Sequence, residues 1–221
     1  SPTGDKPHDP ATGASAGEIV ALDDADITVD LQRGANNPAP HPKALIPFDD
    51  IPDGVLRESL QALADDVVAH GLEGTANQAA ADLLLRRRPR VGQTPGEPLR
   101  RPSETALDAA RRIALSLDRT ILPIQGPPGI GKTYIGARMI VSLIQVGKRV
   151  GVTATSHKVI VNLLNAVCAA AESESVVIRG IQKAGEDSAC THPSIECTGS
   201  NPRVSAALDD GANLAAGTVW L

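Results

Sequence analysis

With 221 residues, 42% of them hydrophobic, the chain can fill the core of one large or two small domains. Aromatics are only 1% (Phe48, Tyr134 and Trp220), so the core rests on Ala, Val, Ile and Leu, and gripping single strands mainly by ring stacking is excluded. Net charge is −5 but uneven: from Leu84 to Arg119 nine arginines face four acids, a balance of +5 that leaves −10 elsewhere.

Residues 1–17, rich in Gly, Pro, Ser and Asp, read as an irregular lead-in. Glu18 to Leu22 and Ile27 to Leu31 are short β-type runs around Asp23-Asp24-Ala25-Asp26, a hairpin signal. Pro38, Pro40, Pro42 and Pro47 forbid a central strand afterwards and leave room for an edge strand over Lys43 to Ile46. Residues 1–50 therefore read as a small β-module. Residues 51–102 read as a helical segment and linker. A helix runs from Val55 to His70 with Gly71 as its stop, and a second from Ala76 to Arg87 is ended by Pro89. Pro89 to Pro102, with four prolines and two glycines, is the linker. The arginines of this region either touch a nucleic-acid backbone or pair locally on a solvated surface.

Ser103 as N-cap, with Glu104 in the first turn, opens a helix to Leu117. Residues 103–221 then alternate: strand 120–125, helix 132–146, strand 149–154, helix 157–171, strand 176–179. An irregular stretch, 180–202, follows, then a helix over 204–214 and the start of a strand over Thr218 to Leu221. This predicts an α/β fold with a parallel sheet and flanking helices.

Between the first strand and the next helix stands Gly126-Pro127-Pro128-Gly129-Ile130-Gly131-Lys132-Thr133, a phosphate-binding pattern GxxxxGK[ST] followed by Tyr134. Glycines let successive N–H groups turn inward on an anion. Lys132 brings a mobile charge to β- and γ-phosphates, and the Thr133 hydroxyl suits Mg²⁺. The helix adds its positive N-terminal end. Together these predict binding of ATP with Mg²⁺, with Lys132 and Thr133 as the chemically active pair. Further on, a β-branched strand ends in Thr155-Ser156-His157-Lys158, which opens another helix. Hydroxyls and a lysine there suit backbone phosphates of a nucleic acid; the alternative is that Thr155 or Ser156 merely caps the helix.

IQGPPGIGKT, the GARMI helix and GKRVGVTATSHKVIVNLL together resemble the first and Ia motifs of superfamily 1 helicases, in the branch found behind a RecB-like nuclease in bacteria. The likeness is strong over residues 104–170. It implies a RecA-like P-loop NTPase domain, preceded by an accessory segment, that drives translocation on single-stranded DNA or RNA with ATP. Carried over, Gly126 to Thr133 hold the triphosphate and Thr155 to Lys158 contact the strand. Ile130 departs from the small hydroxyl residue usual there, and no Gln in helix 103–117 is placed to read adenine; Gln125 is a weak substitute. The acidic strand end, the second RecA-like domain and its arginine finger would follow Leu221, so the chain by itself is expected to be inactive. The other readings are a P-loop ATPase not acting on nucleic acid and a non-catalytic nucleotide-binding domain.

Neither an initiator Met nor a signal peptide opens the chain, which predicts a piece of a longer protein. No apolar run nears the ~18 residues of a membrane span. Three cysteines make no full disulfide framework and predict a cytoplasmic setting. Cys190, His192 and Cys197 lack the paired spacing of a zinc site and read as a plain loop.

Overall fold

Two antiparallel strands, β1 (Glu18–Asp23) and β2 (Thr28–Gln32), form the expected hairpin. Asp23 sets its turn, since Oδ1 accepts from the N–H groups of Ala25 at 2.9 Å and Asp26 at 3.2 Å. Pairing jumps from Ile19–Leu31 to Ala21–Asp30, which makes Val20 a bulge. In the computed structural model, which describes residues 3–36, 40–46, 53–92, 94 and 96–218, the chain divides into two units, Ser1–Asp65 and Asp66–Leu221. In the first, the lead-in is tied to the hairpin: Gly4 N–H donates to the Ile19 carbonyl and Ile19 N–H to Asp5. No edge strand forms over 43–46. Ile46 makes one antiparallel bridge to His8, and Pro40 and Pro42, lacking N–H donors, precede it.

Helix α1 (Gly54–Gly74) is continuous except at Gly71, where φ 72° and ψ 169° break the helical course as the stop signal implied. The Asp66 carboxylate accepts from Thr75 and from the Ala76 N–H, and the Thr75 bond holds its pKa below the ordinary value. Helix α2 (Gln78–Leu84) is shorter than expected, because Arg86 lies at φ 52°. Helix α3 (Ala106–Ser116) is capped by Thr105 rather than Ser103: its Oγ1 accepts from Asp108 N–H at 3.1 Å. Glu104 is instead held by Arg112 and by the Arg101 N–H.

The remaining elements are α4 (Lys132–Gln145), β3 (Val150–Ala154), α5 (His157–Ser173), β4 (Gly180–Lys183), β5 (Ile195–Thr198), α6 (Asn201–Asp209) and β6 (Leu214–Thr218). The four strands make one parallel sheet in the order β3-β6-β4-β5. Side chains alternate across it. Leu214 and Ala216 of β6 join the core made with α4 and α5, whereas Ala215 meets Ile181 and α6 on the other face. The result is a parallel sheet with helices on both faces, as the alternation predicted.

Four more expectations, all after Arg119, differ. Residues 120–125 form no strand: Pro123 interrupts the donors, and Ile124 is half exposed. The strand placed at 176–179 begins instead at Gly180. Before that, the Asn213 side chain takes the Arg179 N–H and donates to the Val177 carbonyl, replacing ladder bonds. The stretch taken as irregular contains β4 and β5. Helix α6 ends at Asp209, ahead of Gly211 at φ 93°, so β6 starts at Leu214, while Val219, Trp220 and Leu221 lie outside the described residues.

The arginines of 84–119 are largely paired within the fold. Arg87 meets Glu73, Arg111 meets Glu174 and Arg112 meets Glu104. Arg90 binds Asp82 at 2.7 Å, and its other nitrogens donate to the carbonyls of Asp118 and Arg119. Asp82 is fully buried and also accepts from the Thr120 hydroxyl at 2.7 Å. That hydroxyl, then Arg90, depresses its pKa.

Candidate functional site

Four residues, Val146 to Arg149, connect the end of α4 to the start of β3, so α4 runs back along the strand. Its N-terminus therefore lies toward the carboxyl edge of the sheet, the edge at which α5 also begins. That is where open α/β sheets take ligands. The phosphate pattern and the Thr155–Lys158 cluster thus occupy the same edge.

Within the loop, Gly129 and Gly131 adopt φ 85° and 87°, the left-handed region that only glycine enters without strain. Gly131 is the N-cap of α4 and brings no side chain to cap it. The first N–H groups of α4 have no partner in the preceding turn by helical geometry. Lys132 curls back, and its Nζ donates to the carbonyls of Gly126 at 2.5 Å and Pro127 at 2.7 Å. This ammonium is exposed, as are Pro127, Pro128, Gly129, Ile130, Thr133 and Tyr134. The arrangement offers two left-handed glycine hinges, a helix N-terminus and one exposed ammonium, a combination that suits a phosphate chain. For Mg²⁺ the chain itself offers the Thr133 hydroxyl; among the described residues no group of three or more His, Cys, Asp or Glu could hold a metal. Such a cation would have to arrive with phosphate oxygens as its main ligands.

Sequence reasoning missed one neighbour of the loop. Arg138 lays its guanidinium over the Tyr134 ring, 3.5 Å from the centroid, which orients the half-exposed tyrosine. The i, i+4 spacing on a helix was the available signal.

At the other helix start, Ser156 is the N-cap of α5: its Oγ accepts from Val159 N–H at 3.4 Å. Thr155 and Lys158 are exposed, and His157 is half buried with its Nδ1 enclosed and without a hydrogen-bond partner. Ser156 therefore has a structural task, and Lys158 is the cation facing solvent.

The cysteine-histidine loop does not converge. Cys190 Sγ bonds Asn165, Cys197 Sγ bonds the Ala184 carbonyl, and His192 Nε2 faces Glu172 at 3.1 Å. Burial pushes the Cys168 thiol up to about 11, which keeps it unreactive. The loop is braced by Gln182, fully buried in β4, which donates to Ser188 and accepts from Cys190 N–H at 2.7 Å. Among the described residues no helix is long and apolar enough to cross a membrane.

No protein-family model matches the chain, and no curated protein matches it either.

Proposed function

We propose that the chain binds a nucleoside triphosphate with Mg²⁺ at Gly126–Tyr134, and that it is the ATP-binding part of a helicase-type motor acting on single-stranded nucleic acid. The observation behind the first half is the glycine-hinged loop at the start of α4 with Lys132 turned into it. In this reading loop and helix N–H groups take the phosphate oxygens, and Lys132 exchanges two carbonyls for β- and γ-phosphates. Thr133 adds a hydroxyl ligand to the Mg²⁺ that accompanies the nucleotide. The second half rests on the likeness of residues 104–170 to superfamily 1 helicases and on Lys158 standing exposed at the same sheet edge. In that family the acidic motif, a second RecA-like domain and, in some members, an upstream nuclease complete the machine in a cytoplasmic setting.

A second reading, a P-loop ATPase that does not act on nucleic acid, is favoured by two observations. Arg87, Arg90, Arg111 and Arg112, four of the nine arginines of 84–119, are spent on carboxylates of the same chain, and Ser156 is a cap. The test of nucleotide binding is calorimetric titration with Mg-ATP. Lys132→Ala removes a charge-assisted contact, so affinity should fall roughly 10- to 100-fold. Equal affinity in both proteins would remove the central claim.

A further inference from the structure

Ile130 stands alone between the hinges Gly129 and Gly131, more than half exposed at 56%, where a small polar residue would cost less. Its side chain has a definite seat. A Cβ at Gly126 would fall 2.1 Å from Ile130 Cδ1 and 3.1 Å from Cγ1, with Lys132 Cδ at 3.9 Å. Gly126 does not have a positive φ, so its glycine serves this close approach and not a turn. Two kinds of contact thus close the loop. The polar one, Lys132 on the Gly126 and Pro127 carbonyls, must be given up when phosphates arrive. The apolar one, Ile130 over Gly126, need not be.

We propose that Ile130 is a positioning residue of the phosphate loop, whose side chain over Gly126 keeps the loop curled before and during nucleotide binding. The inference rests on the nucleotide-binding reading above. β-Branching leaves Ile130 few rotamers, so the contact fixes the loop's entry against its exit at small entropic cost. A threonine in its place has no δ-carbon to reach Gly126. Preorganisation of this kind raises affinity by lowering the ordering cost of binding.

Four versions of the 221-residue chain test it: the natural sequence, Ile130→Ala, Gly126→Ala and the double variant. Titration with Mg-ATP should show Ile130→Ala binding on the order of fivefold more weakly. Gly126→Ala should also bind more weakly, because its methyl evicts Ile130. In the double variant the methyl has room, so affinity should match Ile130→Ala alone. Losses that simply multiply would overturn the proposal, since independent sites add in free energy. Amide hydrogen exchange over residues 126–133 without nucleotide reads the same contact directly. Exchange should quicken in each single variant, without further increase in the double, at unchanged melting temperature. If no protein binds Mg-ATP, the functional reading fails while the exchange pattern still decides the role of Ile130. Exchange unaltered by Ile130→Ala refutes it.

Discussion

Lys158→Ala and Ser156→Ala, made separately, divide the two tasks that the start of α5 can perform. Ser156 Oγ reaches the Val159 N–H at 3.4 Å, a long bond, so its loss should sit near the low end of N-cap values, about 0.5 kcal/mol. At roughly 2–4 °C per kcal/mol for a unit of this size, melting should drop by about 1–2 °C. Lys158 is exposed, so its removal should leave melting unchanged. If it meets a backbone phosphate, one counterion fewer is released on binding, and the log–log salt slope falls by roughly 0.7. Between 50 and 200 mM salt the affinity deficit of Lys158→Ala should then shrink by about 2.6-fold. Fluorescence anisotropy of a labelled oligothymidylate at three salt concentrations, beside thermal melts, measures both. A stably folded Lys158→Ala with the natural affinity and slope would refute strand contact at this helix start.

Leu164, 1% exposed in the core between α5 and the sheet, should cost 2–5 kcal/mol when cut to alanine, measured as a fall in urea midpoint; a loss below about 1 kcal/mol would mean that this packing is misassigned. Glu104 is held at a pKa of about 2, chiefly by Arg112 and then by the Arg101 N–H. A depressed carboxylate stabilises fully above its unfolded value of about 4.3 and loses that effect as pH falls through the folded one. Melting of the natural chain and Glu104→Gln should differ most near neutrality and converge toward pH 2; a gap constant with pH contradicts the pairing.

Helices α4 and α5 and strand β3 were legible because each combines a clear period with a matching boundary signal: Lys132 after Gly131, Ser156 before His157, Gly147 before β3. Strand β6 was not. Leu-Ala-Ala-Gly-Thr carries no β-branched residue before Thr218, and its place between β3 and β4 is decided by burial. Residues 120–125 erred the other way, since apolar letters outvoted Pro123. At the site, the glycine and lysine spacing was readable because it is local. The contacts of Ile130 with Gly126 and Arg138 with Tyr134 depend on side-chain direction, which spacing only permits. The fate of the arginines was least legible. Glu174 lies 63 residues beyond Arg111, and composition cannot show such a partner.

The Asp82–Arg90–Thr120 junction bears on where the chain can be cut. A version trimmed to begin at Ser103 would keep every residue of the phosphate pattern. It would lose Asp82 and Arg90, leaving the Thr120 hydroxyl and the carbonyls of Asp118 and Arg119 without their present partners, six to eight residues before the loop begins. The shortest piece able to present that loop as it stands here therefore begins ahead of α2. Expression boundaries drawn from the recognisable motif alone would remove the anchor of the segment that delivers it.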